Sequence, residues 1–198
     1  MSKITAIIPS IGRREEIFPL LKNLSDDGIE VLTITRPEVR NIHKLWNLGA
    51  RIAIEEFDAD YLAILNDDIR LPDKSISTIV RTMIENDIDC MGVDPRARFG
   101  IGDKLDITYV DNDVAELMLE ITTWCFVVKA SSWVEIDEEY QWWWGVGDLF
   151  IKIRDNGGKL AQLVGLGIYH LGSGSANNAL WTKKAIQEDG ILWRKKHK

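Results

Sequence analysis

Two acidic residues that directly follow a short apolar run are the part of this sequence most suggestive of chemistry. Tyr61 to Leu65 has no polar alternation, which is typical of a strand buried on both faces of a helix-covered parallel sheet. The run ends abruptly at Asn66, Asp67 and Asp68. Because an unpaired carboxylate beside a core is costly, a bound cation explains these acids better than packing does. A solvated turn is the alternative, since Asn and Asp favour turns.

Strand-like and helix-like segments alternate along the chain around this cluster. Apolar runs predict further strands over residues 3–8, 29–35, 88–93, 120–128 and 159–169. Apolar residues three or four positions apart, together with capping signals, predict helices over residues 14–24, 41–57, 73–85, 131–136, 149–156 and 176–188. Asp73 is the predicted cap of the third of these helices. Residues 95–113 show no period and predict a loop or a small hairpin. The alternation predicts an α/β fold with a mostly parallel central sheet and helices on both faces, and such sheets bind ligands where their strands end.

Composition limits the possible compartments and partners. The 198 residues are enough for one domain with a sizeable core, and the net charge of −7 argues against nucleic acid as a general partner. No apolar run approaches the ~20 residues that span a bilayer. The chain starts without a signal-peptide layout, and Cys90 and Cys125 are isolated. We therefore expect a cytoplasmic protein with two reduced thiols.

Three further places could carry chemistry. Asp148 stands at the start of a predicted helix, where it is either a cap or a functional carboxylate. His170 follows a predicted strand and precedes a Gly-Ser-Gly turn. The consecutive tryptophans 142–144 cannot all face one way, so at least one is expected in an exposed groove, where an indole can stack on a sugar. The basic end, residues 193–198, is expected to be frayed or lightly docked.

Several segments, in the same order and over almost the whole chain, resemble the family 2 glycosyltransferases, which have the Rossmann-like GT-A fold. They are Pro9-Ser10 with Arg13, Trp46-Asn47-Leu48-Gly49, Leu65-Asn66-Asp67-Asp68, the segment 123–129, Gly147-Asp148 through Arg154 with Asn156-Gly157-Gly158, and His170. The resemblance implies a single domain, in which residues 1–94 bind the nucleotide sugar and residues 95–198 hold the acceptor and the catalytic group.

The resemblance also implies a role for individual residues. Asp148 would be the catalytic base, and Asp68 and His170 would bind a metal. Trp143 and Trp144 would line the acceptor pocket. The donor-binding set would be Pro9, Ser10, Arg13, Thr35, Asn47, Asn66 and Asp67.

The implied reaction moves a hexose from a nucleotide-diphosphate sugar, with UDP favoured, to a hydroxyl acceptor with inversion. A divalent cation, Mn²⁺ or Mg²⁺, stabilises the charge on the departing diphosphate, and a histidine ligand favours Mn²⁺. Asp148 would take the proton of the attacking hydroxyl. The acceptor stays open between a glycan, a protein and a small molecule.

Some positions depart from the family pattern and keep alternatives open. Asn66 stands where the family has an acid, and Gly147 stands where it has Glu. The second strand ends in Thr35 and Arg36 instead of acids, which leaves the nucleobase undetermined. A non-catalytic relative that binds nucleotide sugar or glycan is one alternative. A nucleotidyltransferase is another, although of its Gly-rich, Arg-containing loop only Gly12 and Arg13 are present.

Overall fold

Alternating strands and helices surround one central sheet. The computed structural model describes residues 2–10, 14–36, 38–110, 122–171 and 180–197. The helices are α1 (Arg14–Asp26), α2 (Ile42–Glu55), α3 (Ser75–Asn86), α4 (Gly145–Asp155) and α5 (Leu180–Lys196). The strands are β1 (Ile4–Ser10), β2 (Glu30–Thr35), β3 (Tyr61–Leu65), β4 (Ile69–Arg70), β5 (Cys90–Val93), β6 (Gly100–Tyr109), β7 (Cys125–Lys129), β8 (Leu160–Gly167) and β9 (Tyr169–His170).

The central sheet has seven strands in the order β2-β1-β3-β7-β5-β8-β6. β1 is parallel to β2 and β3, β5 is parallel to β8, and β7 lies antiparallel between β3 and β5. As a result β1, β2, β3, β5 and β8 all end at the same side of the sheet, which we call the carboxyl edge. The short strands β4 and β9 form a second, two-stranded sheet that directly follows β3 and β8.

Both faces of the sheet are covered by helices. One core cluster joins the sheet to α1 and α3, and the other joins it to α2, α4 and Trp193 of α5. β3 contributes to both, because Ala63 and Leu65 belong to the first cluster and Leu62 and Ile64 to the second. Burial of each leucine or isoleucine side chain of this strand stabilises the fold by about 1.5–3 kcal/mol. The predicted strand buried on both faces is thereby confirmed, and so is the α/β fold class.

Two local predictions before residue 110 differ from the structure. Asp73 does not cap α3, which instead follows Lys74 in a left-handed conformation (φ 61°), and the Asp73 carboxylate accepts a hydrogen bond from Asn23. The aperiodic stretch predicted as a loop or small hairpin contains one long strand, β6, antiparallel to β8. Most of its side chains are exposed on both faces, so burial imposes no period on its sequence.

The basic C-terminal end also differs from its prediction. It is not frayed, because α5 continues to Lys196 and Trp193 is only 8% exposed. Lys196 forms ion pairs with Asp137 and Glu139, which anchor the last turn of the helix. Burial opposes the charge of Lys196, but hydrogen bonds to these two carboxylates raise its pKa. Within the described residues, no helix combines the length and the apolar content needed to cross a membrane.

Candidate active site

An aspartate and a histidine, far apart in sequence, meet beyond the end of β3. Oδ1 of Asp68 lies 3.1 Å from Nε2 of His170, and 102 positions separate the two residues. β4 and β9 bring them together, because Ile69 pairs with His170 and the backbone N–H of Leu171 donates to the Asp68 carbonyl at 2.9 Å. Trp124 stacks on the imidazole with 5.0 Å between ring centroids and an interplanar angle of 7°. The two side chains predicted as metal ligands are therefore adjacent, and Trp124 holds the orientation of the imidazole ring.

The end of β1 joins this pair through Asp67. The Ser10 hydroxyl donates to Oδ2 of Asp67 at 2.8 Å, so the ends of β1 and β3 are tied together. Pro9 is buried in β1, and Thr35 at the end of β2 is exposed and lies opposite Ser10 in the parallel register. Four of the predicted donor-binding residues thus lie side by side at the carboxyl edge. Arg13 lies outside the described residues.

Asn66 directly follows β3 and lies at the same part of the carboxyl edge. Its backbone N–H donates to the Trp124 carbonyl at 3.0 Å. Its side-chain Oδ1 is buried and has no hydrogen-bond partner in the described part of the chain. A buried carbonyl oxygen without a donor is a suitable ligand for a hard cation. Among the described residues no group of three or more His, Cys, Asp or Glu is arranged to hold a metal.

Asn47 does not fit the donor-binding role predicted for it. Its amide is fully buried, donates to the Ile136 carbonyl at 2.8 Å and accepts from the Ile136 N–H at 2.9 Å. A further contact of 3.2 Å goes to the carboxylate of Glu138. Asn47 therefore holds the segment before α4 against α2, and both of its polar atoms are already used.

Asp148 lies in the first turn of α4 and is not its cap. The helix begins at Gly145, after Trp144 in a left-handed conformation (φ 61°), and the Asp148 N–H donates to the Trp144 carbonyl at 3.1 Å. The Asp148 side chain therefore does not cap the helix. Because α4 leads into β8, its first turn lies on the carboxyl-edge side of the sheet.

A lysine and a histidine flank the Asp148 carboxylate. Nζ of Lys152 lies 2.6 Å from its Oδ2 and forms an ion pair with it. Nε2 of His197, beyond the end of α5, lies 3.5 Å from its Oδ1. Asp148 is 7% exposed, so a ligand can reach its carboxylate only where one of these partners moves. The Lys152 side chain is 36% exposed and is the freer of the two.

The three tryptophans at positions 142–144, which we call the tryptophan-rich segment, differ in how far they are buried. Trp144 packs on Trp193 with 5.1 Å between ring centroids, so its contacts favour a packing role over the predicted acceptor role. Trp143 is 44% exposed, as its predicted role requires. Trp142, which had no assigned role, meets Trp181 of α5 edge to face with 5.1 Å between centroids.

Asp189 of α5 is a structural determinant of this region that sequence reasoning missed. Its carboxylate is 1% exposed and accepts the backbone N–H groups of Gln141, Trp142 and Trp143 at 2.8–2.9 Å. An acid inside a helix gives no sequence signal for such a contact, since most helical acids are solvated. Trp124 lies in the segment 123–129 but was given no role of its own, because only the fold brings it onto His170.

The residues at the carboxyl edge thus form two groups. One contains the contacting pairs Ser10–Asp67 and Asp68–His170, which are linked by the adjacent positions of Asp67 and Asp68. The other contains Asp148 and the tryptophan-rich segment, held by α4 and α5. The N–H of Ile42, at the start of α2, donates to the Gln141 carbonyl at 3.1 Å and ties the second group to the end of the β2–α2 connection.

Comparison with known proteins supports the fold at low sequence identity. No family model matches the chain, and no curated protein matches it in sequence. The A197 protein of STIV superimposes with a TM-score of 0.58 at 16% identity, over 86% of this chain and 85% of that one.

Two further solved structures are similar, and the name of the first states an activity and its ligands. A Drosophila β-1,4-galactosyltransferase 7 mutant, crystallised with manganese, UDP-Gal and xylobiose, has a TM-score of 0.51 at 17% identity, over 82% of this chain and 65% of its own. S. aureus TarS has a TM-score of 0.56 at 10% identity, over 83% of this chain and 60% of that structure. The chain therefore has the α/β fold of the GT-A glycosyltransferases.

Proposed function

We propose that this chain is a metal-dependent glycosyltransferase of the family 2 type. It moves a hexose from a nucleotide-diphosphate sugar, with UDP favoured, to a hydroxyl acceptor with inversion of the anomeric carbon. The observation that carries the proposal is the 3.1 Å contact between Asp68 and His170 beyond the end of β3. The carboxyl ends of parallel strands are where open α/β sheets bind their ligands.

The donor atoms of this pair suit a divalent cation. Carboxylate oxygen and imidazole nitrogen are ligands that Mn²⁺ accepts together. Asp68 and His170 would hold the ion, with the buried Oδ1 of Asn66 as a third ligand. When bound, the ion supplies Lewis-acid stabilisation of the charge that develops on the diphosphate. The stacking of Trp124 fixes the plane of the imidazole and so the direction of its lone pair.

The remaining residues of this group orient the donor. The hydrogen bond between Ser10 and Asp67 joins the ends of β1 and β3, and these joined ends form a rigid surface for the nucleotide. Thr35 is exposed and lies opposite Ser10, which supports a contact with the base or ribose. The likeness in fold to a galactosyltransferase that was crystallised with manganese and UDP-Gal supports this choice of donor and ion.

Asp148 acts as the general base. The acceptor hydroxyl displaces Lys152 from the carboxylate, transfers its proton to Asp148 and attacks the anomeric carbon as the diphosphate leaves. Lys152 is the partner that moves, because its long side chain is partly exposed. His197 keeps the other oxygen in place. A positioned carboxylate of this kind accelerates transfer by about 10²–10⁴-fold.

Thermal unfolding against a panel of nucleotide diphosphates, each with and without Mn²⁺, tests the proposal. A ligand that binds only the folded state raises Tm by mass action. We expect a metal-dependent increase with one nucleotide, lost in Asp68→Asn and in His170→Gln. Asp58→Asn is the control, because that carboxylate is exposed and pairs with Lys3. If no nucleotide shifts Tm with or without metal, the glycosyltransferase function is rejected.

A further inference from the structure

Three residues from three separate segments form an exposed corner that neither core cluster uses. Trp142 precedes α4, Trp181 lies in the first turn of α5, and Arg40 precedes α2. The two indoles meet at an interplanar angle of 87°. The guanidinium of Arg40 lies over the Trp181 ring, 5.7 Å from its centroid. Both tryptophans are half-buried, and neither belongs to the two core clusters.

The fold holds this corner rigidly. Asp189 fixes the backbone of Trp142 through a hydrogen bond of 2.8 Å, from the same helix that carries Trp181. Next to Arg40, the Asn41 amide donates to the carbonyls of Glu138 and Tyr140 at 3.0 and 3.1 Å. A pair of large aromatic rings that is held in place, yet left partly exposed, stabilises the core little and is suited to a ligand.

The positive charge of Arg40 favours an anionic ligand at this corner. Arg40 is exposed and forms no ion pair with any described carboxylate, although the chain carries a net charge of −7. A guanidinium that rests on an aromatic ring keeps its N–H fork free for a carboxylate or a phosphate. The two indoles meet edge to face and are not stacked on each other, and Arg40 lies over Trp181. An indole face outside these contacts can pack against the C–H groups of a sugar.

We propose that Trp142, Trp181 and Arg40 form a subsite for an anionic sugar, whose ring stacks on tryptophan and whose carboxylate or phosphate pairs with Arg40. The assignment of this sugar to the acceptor rests on the proposed glycosyltransferase function. The binding itself does not, because it needs neither donor nor metal.

Calorimetric titration without nucleotide or metal tests the subsite. The probes are a glucuronate-terminated disaccharide, its neutral glucose counterpart and the corresponding sugar 6-phosphate. We expect each anionic probe to bind about tenfold more tightly than the neutral one, as a charge-assisted hydrogen bond predicts. The carboxylate and phosphate probes together show which anion Arg40 prefers.

Variants assign the binding to the corner. We expect Arg40→Gln to remove the preference for anionic probes and Trp181→Ala to weaken all probes about tenfold. Trp181→Phe retains an aromatic ring and an intermediate affinity, which guards against misfolding of the alanine variant. Arg51→Gln, which breaks only the pair with Glu135, and Phe99→Ala, at a 57% exposed ring, are the matched controls and leave binding unchanged.

The metal-dependent shift in Tm with nucleotide, measured on the same proteins, separates the two proposals. If the protein binds sugar but no nucleotide shifts its Tm, the subsite is retained and the proposed glycosyltransferase function is rejected. Absence of sugar binding to the wild type at about 10 mM rejects the subsite. An anionic preference that survives Arg40→Gln also rejects it. So does a Trp181→Ala variant that loses nucleotide and not sugar, since the corner is then a platform for the base.

Discussion

The buried carboxylate of Asp189 accepts the backbone N–H of Trp142 at 2.8 Å, which joins the middle of α5 to the segment that leads into α4. The same carboxylate also accepts the N–H groups of Gln141 and Trp143. These contacts, with Trp193 packed on Tyr140 and Trp144, make α5 the support of the whole tryptophan-rich segment.

Asp189→Asn is expected to destabilise the fold by about 3 kcal/mol. The substitution removes the charge from three hydrogen bonds and turns an amide donor towards backbone donors, and each charge-assisted bond contributes about 1.5–3 kcal/mol. Urea unfolding measures the change. Asp58→Asn, at an exposed pair with Lys3, is the control and should match the wild type. Equal stability of the two variants would contradict the supporting role of Asp189.

Asn47→Ala distinguishes a structural amide from a donor-binding one. The variant leaves the buried N–H and C=O of Ile136 without partners, which we expect to cost about 2–4 kcal/mol in urea unfolding. The affinity of the folded variant for nucleotide should not change. Asn23→Ala removes an amide that is not fully buried and contacts the exposed Asp73 and the Leu71 carbonyl, and it serves as the control. A weaker nucleotide affinity with unchanged stability would restore the role that the sequence resemblance implied for Asn47.

The fold could be predicted from the sequence because burial on both sheet faces leaves a visible signal. The apolar run of β3 and the amphipathic pattern of α2 both reflect contacts with the two core clusters. β6 could not be predicted, because an exposed edge strand has no such pattern. The end of α5 was mistaken for a tail, because its basic residues conceal the buried Trp193.

The candidate site was predictable only in part. Residue types and order pointed to Asp68 and His170, which do meet. The sequence could not tell whether the Asn47 amide faces a ligand or a neighbouring backbone, since both occur at half-apolar helix positions. Asp189 and Trp181 reach the site through long-range contacts of α5, and no local pattern encodes such contacts.

The buried His43 makes stability depend on pH. Burial lowers its pKa, while a hydrogen bond from Nδ1 to the Tyr140 carbonyl and the nearby carboxylate of Asp189 oppose this effect. The folded state therefore keeps the imidazole neutral at a pH where the unfolded chain, with a pKa of about 6.5, binds a proton. Its contribution is complete above that pH and is lost as the pH falls towards the lowered pKa of the folded state.

Urea unfolding from pH 8 to pH 5 measures this dependence. We expect the wild type to lose up to about 1.4 kcal/mol per pH unit more than His43→Gln on the acid side of pH 6.5. Parallel profiles for the two proteins would show that His43 is not held neutral by the fold.

Two glycines give opposite predictions for the same substitution. A Cβ at Gly145 would lie 2.7 Å from Cε1 of His43 and 2.8 Å from Cγ2 of Ile136, so Gly145→Ala should destabilise by about 1–3 kcal/mol through overpacking. A Cβ at Gly190, inside α5, would meet Nε1 of Trp144 at an ordinary 3.4 Å. Gly190→Ala should therefore stabilise by up to about 1 kcal/mol, the helix preference for alanine. Melting temperatures compare the two, and destabilisation by Gly190→Ala would contradict the packing described here.

Asp148→Asn separates catalysis from binding. The amide keeps the shape of the carboxylate but cannot take a proton, so we expect transfer to fall by about 10²–10⁴-fold. The metal-dependent Tm shift with nucleotide should stay as in the wild type, because Asp68 and His170 belong to the other group at the carboxyl edge. Asp155→Asn, at the exposed end of the same helix, is the matched control. Unchanged turnover in Asp148→Asn would assign the proton to another group, whereas loss of nucleotide binding would mean that the two groups form one site.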